Sequence, residues 1–275
     1  MDRAQTFVER LAPPSLAATV TAVWSQSVGG GAAPYLQRHV PNGQMELRWV
    51  AGGPVQLVGP RTAPVVETLA PGSTLVGLRL RTAVTFDGVA PASLVDGVVD
   101  VADLWSDEAA LADEVAAART PDDVADQLGR LVLARVAPSD PLVTALMGRL
   151  HWCRQQLGRV ADELGVTQRQ LRRACTGATG LVPKALHRMV RFQDALALAQ
   201  ARMADGQPAT GHGLAELAHE ANYADQAHLA RECGRLTGLP PSSFFGNAER
   251  TCACGHDHAT SYAEVLGGRD ARVTA

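Results

Sequence analysis

Residues 160–171, VADELGVTQRQL, and residues 214–223, LAELAHEANY, decide how this chain is read. The first is a short helix, a turn holding Gly165 and a second helix starting near Thr167, the sequence form of a helix-turn-helix. The second repeats it, with Asn222 where Gly165 stands in the first. Downstream, Leu171, Arg173, Cys175, Gly180 and Pro183 recur as Leu229, Arg231, Cys233, Gly238 and Pro241, each at an offset of 58. Upstream of these the offset is 57, so the second copy holds one extra residue in or just after its turn. Between the copies, the apolar run around Val190–Leu198 predicts one long, rigid helix.

The faces of the second helices indicate their chemistry. In the first copy Leu171 and Cys175 lie at i and i+4 and point to a core. Arg169, Arg172 and Arg173 share a different face, with Gln168 one turn below Arg172. Guanidinium groups bridge guanine O6 and N7, and a glutamine amide bridges adenine N6 and N7 in a major groove. In the second copy Leu229, Cys233 and Leu236 form the apolar stripe, and Gln226, Ala227, His228 and Arg231 lie elsewhere.

Charge is distributed to match. The 275 residues have a formal net charge of −3, yet residues 149–202 hold nine Arg and Lys184 against Asp162, Glu163 and Asp194, a net of +7. The flanks are acidic. A local basic stretch of this kind suits a polyanion, although an Arg-rich helix face can also be simply solvated.

The N-terminal part has another texture. MELRWV (45–50), VQLV (55–58), VVETLA (65–70) and TLVGLRL (74–80) are separated by Gly- and Pro-containing turns and predict a small antiparallel roll or barrel. The helical signal begins near residue 107. Thr120-Pro121-Asp122-Asp123 reads as an N-cap, a Pro at the first helical position and an acidic first turn, followed by the stripe Val124, Leu128, Leu131, Val132. The expected organisation is α+β. Residues 1–106 form a β-rich, cupin-like sensing domain and 107–140 a helical connector that is the candidate dimerisation element. Residues 141–246 form an all-α domain with two helix-turn-helix units, and 247–275 a tail.

Residues 150–245 resemble the DNA-binding domain of AraC/XylS-type transcription regulators. The resemblance rests on LGVTQRQLRRACTGATGLVPKAL for one unit and LAELAHEANYADQAHLARECGRLTGLPPSSF for the other. The second is close to the family pattern G-Y/F-x-D/S-Q-x-x-L-x-R-x-F…G-x-x-P. The segment PNGQMELRWV…GPRT…LAPGSTLVGLRLR…DVADLW is similar, more loosely, to the N-terminal domain of one AraC subgroup. The resemblance implies two recognition helices in successive major grooves of double-stranded operator DNA, and an N-terminal domain that senses a small-molecule effector or mediates contacts. RNA polymerase would be a partner of an activator. Cys175 and Cys233 depart from the family, which has a large aromatic at both positions, and each loses packing volume.

On this reading Arg169, Arg172, Arg173, Gln226 and Arg231 carry base recognition, joined by Gln168 and His228, while Lys184, Arg188 and Arg191 contact phosphates. Cys252, Cys254, His256 and His258 alternate in the tail as CACGHDH, a thiolate–imidazole set suited to zinc. The C-x-C spacing is tighter than the usual knuckle, and the alternative is a plain tail with incidental Cys and His. The metal reading would make the protein a metal- or thiol-responsive regulator.

Other classes are disfavoured. No run of about 18 apolar residues is present, which argues against a membrane span. The N-terminus lacks the basic-then-apolar order of a secretory signal, and five Cys is an odd number for a disulfide framework, so a reduced, cytoplasmic protein is expected. G-x-S-x-G, P-loop and G-x-G-x-x-G motifs are absent. His39 has no partner at H-x-H spacing, which weakens the rival reading of a cupin-like enzyme or small-molecule binder. Trp24, Trp49 and Trp105 read as core packing in preference to a pocket lining.

Overall fold

A computed structural model describes residues 5–108, 110–153, 156–205 and 211–245. The chain starts with strands β1 (Gln5–Leu11), β2 (Val20–Val28), β3 (Tyr35–His39), β4 (Glu46–Val50), β5 (Val55–Val58), β6 (Val65–Leu69), β7 (Thr74–Leu80) and β8 (Thr85–Phe86). Helix α1 (Pro91–Leu94), strand β9 (Val98–Asp100) and helices α2 (Val101–Leu104), α3 (Leu111–Ala116) and α4 (Pro121–Arg135) follow, then strand β10 (Val136–Ala137). The rest is helical: α5 (Pro141–Leu150), α6 (Leu157–Glu163), α7 (Gln168–Thr179), α8 (Pro183–Ala204), α9 (His212–Glu220), α10 (Gln226–Thr237) and α11 (Pro241–Phe244).

Six strands form one antiparallel sheet in the order β1-β2-β7-β4-β5-β9, while β3 pairs with β6 in a separate ribbon and β8 pairs with β10. Alternation of side chains gives the sheet two unlike faces. Val23, Leu47, Trp49, Val55, Leu57, Val76 and Leu78 point one way and share a core with Val124, Leu128 and Val132 of α4. Helix α4 starts as its sequence predicts: Thr120 Oγ1 accepts from the Asp123 amide at 3.1 Å, and Asp123 Oδ2 accepts from the Thr120 amide at 3.0 Å.

Across the other face Trp24, Gly77, Arg48, Gln56 and Asp100 stand in one register row. The β3–β6 ribbon reaches this face through Gln37, bonded to Gln26, and through Glu67, bonded to Arg48. The four predicted strands are present. VVETLA, however, joins the ribbon and not the main sheet.

A second core fills the helical half, with Leu146, Leu171, Cys175, Leu186, Phe192, Leu217, Leu229, Cys233 and Phe244 among its buried members. The long helix expected around 190–198 is α8, 22 residues from Pro183 to Ala204, with Pro183 at a position whose missing N–H costs nothing. No helix among the described residues is long and apolar enough to cross a membrane.

Candidate nucleic-acid interface

The two helix-turn-helix units are built by the same local devices. Gly165 (φ +69°) and Asn222 (φ +61°) take the left-handed turn conformation, which Gly and Asn tolerate best. In each turn the following residue bonds back into the first helix, Val166 N to Ala161 O at 3.0 Å and Tyr223 N to Ala218 O at 2.8 Å. Thr167 and Asp225 then cap the recognition helices α7 and α10. Thr167 Oγ1 accepts from the Gln170 amide at 3.2 Å, and Asp225 Oδ1 accepts from the His228 amide at 2.6 Å. The extra residue in the second copy is therefore Ala224, since Val166 and Tyr223 match at offset 57 and the caps at 58.

The recognition helices also end alike. Thr179 Oγ1 donates to Cys175 O at 2.8 Å and accepts from the Leu181 amide at 3.1 Å; Thr237 does the same with Cys233 O at 2.7 Å and the Leu239 amide at 3.1 Å. Gly180 and Gly238 close both helices at φ +72° and +74°. Cys175 and Cys233 are both fully buried, and burial pushes each thiol up to about 11, so they pack as small apolar groups and stay protonated.

Arg169, Arg172 and Arg173 are exposed on α7, away from buried Leu171 and Cys175, and have no ion-pair partner among the described residues. Gln168 is exposed too, but its amide lies beside Gly158, where a Cβ would sit 3.0 Å from Nε2. Gln226 and Arg231 are exposed on α10, and Lys184 on the first turn of α8. His228 is half-buried. Its ring stands edge-on to Tyr223 with centroids 5.1 Å apart, and Nδ1 accepts from the Ala224 amide at 3.4 Å, so it helps build the turn.

Two expected phosphate contacts have partners within the chain. Arg188 Nε lies 3.0 Å from Oε2 of Glu232, whose side chain is 11% exposed, and the Arg191 guanidinium stacks 4.6 Å above the Tyr223 ring. Both residues face the second unit and hold it against α8. Sequence spacing put them on the basic segment; only the packing of α8 against α10 shows where their charges go.

The N-terminal domain carries a second polar constellation that the sequence reading did not assemble. Glu67 Oε2 accepts from Arg48 Nη1 at 2.8 Å and pairs with His39 Nε2 at 2.9 Å. The hydrogen bond from His39, then that from Arg48, hold the Glu67 carboxyl at about 2 despite the opposing effect of burial. Gln56 bridges Arg48 to Asp100. Trp24 Nε1 and Arg48 Nε are buried with no hydrogen-bond partner among the described residues. Trp49 and Trp105 are core residues whose indoles donate to Gly53 O and Asp87 O, and Trp24, over Gly77, is buried in a smaller apolar cluster with Val28, Leu69 and Leu75. The signal in the sequence was the every-second-residue polarity of Glu46 and Arg48 and of Gln56 within otherwise apolar strands.

Among the described residues no group of three or more His, Cys, Asp or Glu is placed to hold a metal. Cys252, Cys254, His256 and His258 lie outside the described residues.

Paired recognition helices carried by one long helix define a protein of the double-stranded DNA-reading class. Residues 160–247 match the family described as a helix-turn-helix domain, of the AraC type. Residues 160–247 are thus a DNA-binding helix-turn-helix domain of the AraC type, and a β-rich domain precedes it in the chain. No curated protein matches the chain. Among solved structures it is similar to ToxT from Vibrio cholerae in a 1.65 Å form, at 8% identity and a TM-score of 0.44, covering 91% of this chain and 100% of that one. It is also similar to ToxT bound to an unsaturated fatty acid, at 9% identity and a TM-score of 0.41, covering 87% and 94%. Likeness at that distance carries no functional argument.

Proposed function

We propose that this regulator reads an asymmetric operator of two adjacent major-groove segments, one with α7 and one with α10. The observation that carries the reading is the trio Arg169, Arg172 and Arg173, exposed on a capped recognition helix without intramolecular ion pairs among the described residues. Gln226 and Arg231 contribute the base contacts of the second segment, Gln168 supports the first, and Lys184 contacts phosphate. Selection of binding sites from random duplex DNA with the full chain tests this. One motif with two parts about a helical turn apart is the expected result; recovery of no motif, with or without candidate effectors, would overturn it.

The remaining assignments are part of the same reading. Residues 1–106 sense a small-molecule effector, 107–140 connect and dimerise, 141–246 bind DNA and 247–275 form the tail of a cytoplasmic protein, with RNA polymerase as partner if it activates. No catalytic step is assigned. The effector reading is supported by the donors Trp24 Nε1 and Arg48 Nε, unsatisfied among the described residues in one register row of the sheet, because buried donors without acceptors are costly. In the tail, Cys252, Cys254, His256 and His258 bind zinc. Metal analysis of the purified protein beside a Cys252→Ser/Cys254→Ser variant decides it, and equal metal content would end the idea.

A further inference from the structure

The N-terminal domain touches the two helix-turn-helix units at equivalent places. Arg38, on β3, donates from Nη1 to the Thr237 carbonyl at 2.7 Å. Arg38 Nη1 and Pro64 Cγ are also the atoms that a Cβ on Gly238 would meet, at 3.5 and 3.7 Å. In the first unit the matching glycine, Gly180, is covered by α1 and the residue after it. A Cβ there would lie 2.5 Å from Val95 Cγ2, 2.9 Å from the Pro91 carbonyl oxygen and 3.0 Å from the Ala92 Cα. Besides these two footholds, the 41–43 loop rests on the N-terminal half of the linking helix α8. Gly43 lies against Leu186 and Met189, and Gln193 Nε2 donates to Pro41 O at 3.4 Å.

The chemistry of the second foothold is specific. Thr237 is the last residue of α10, where carbonyls lack intrahelical donors and the helix end carries partial negative charge. A guanidinium is the group such an end favours. At the first foothold the contact is steric, a close approach that only glycine permits.

We propose that Arg38 and the Pro91–Val95 segment are positioning residues for DNA reading: they grip the C-terminal caps of α10 and α7 and so fix the separation and angle of the two recognition helices. The proposal rests on the two-segment DNA reading. Operator binding then requires both half-sites at one spacing, because a rigid connection gives the second unit a high effective concentration at that spacing alone. The N-terminal domain thus sets which spacing is read, without touching DNA.

The test uses the full chain and duplexes carrying the selected half-sites at the native spacing and with one or two base pairs added or removed. The wild-type protein is expected to prefer the native spacing by about tenfold or more, and Arg38→Ala by less than about threefold, with Arg38→Lys in between. Affinity for a single half-site is unchanged in both variants. An unchanged spacing preference in Arg38→Ala overturns the proposal, and so does an equal loss on single half-sites, which would mean general damage to the fold. Hydrogen exchange on the DNA-free protein gives an independent readout: the amides of Leu236, Thr237, Gly238 and Leu239 should exchange about tenfold faster in Arg38→Ala, and unchanged exchange refutes the grip. A wild-type protein that selects no duplex would sink the DNA reading, with the exchange result still deciding whether Arg38 holds the cap.

Discussion

Gly165 and Asn222, 57 positions apart, hold the same left-handed turn at φ +69° and +61°. Space around Gly165 is open, since a Cβ there would meet nothing within 4 Å. The cost of replacing it is therefore conformational and not steric. Gly165→Ala is expected to destabilise the folded chain by about 1–2 kcal/mol in urea denaturation, and Gly165→Asn to recover most of that loss. Wild-type stability in the alanine variant would show that the turn can relax.

Arg173 and Lys184 should separate base reading from phosphate contact. Arg173→Ala is expected to cost about 1–3 kcal/mol of operator binding and to relax base choice at one position, whereas Lys184→Ala weakens all sequences alike and lowers the salt slope by about 1. Binding assays at several salt concentrations, on the operator and its single-base variants, read both effects. A uniform loss for Arg173→Ala would demote it to a phosphate contact.

Arg188 should behave as a structural residue. Removing it leaves the largely buried Glu232 carboxylate without its 3.0 Å partner, so Arg188→Gln is expected to lower stability by about 3 kcal/mol. The added change Glu232→Gln should restore part of it. A steeply reduced salt slope of DNA binding with unchanged stability would return Arg188 to the phosphate-contact role.

Glu67 links stability to acid. Its carboxyl titrates at about 2 in the folded chain against an ordinary value of 4.5, so it binds fewer protons folded than unfolded. Its contribution is present above pH 4.5 and is lost as pH falls toward 2. At neutral pH this amounts to at most about 3 kcal/mol. Thermal melts over that range should fall less steeply for Glu67→Gln than for the wild type; parallel acid limbs would contradict the assignment.

Much of the C-terminal half was legible because its determinants are local. A left-handed turn residue, a side-chain cap three residues before its amide partner and an i, i+4 apolar stripe are all set by neighbours in sequence. The repeat doubled each signal: Thr167 and Asp225, Leu171 and Leu229, Gly180 and Gly238 had each to be explained twice. Of the N-terminal strands, β4 to β7 were legible in place but not in partnership, and β1, β2 and β3 went unread. Val65–Leu69 reads as a strand, yet nothing in its residues says that it pairs with Tyr35–His39 instead of joining the sheet.

The sequence by itself determined the two helix-turn-helix units, their caps, their buried and exposed faces and the basic segment between acidic flanks, because helical periodicity and capping act over a few residues. Only the tertiary structure decided that Arg188 and Arg191 are occupied by Glu232 and Tyr223, and that Arg38 reaches Thr237 across 199 positions. It also brought Arg48, Glu67 and His39 into one network. A long side chain has no partner written into its own neighbourhood. Which charge or carbonyl it meets depends on how the layers stack, and burying the apolar cores fixes that stacking for the whole chain at once.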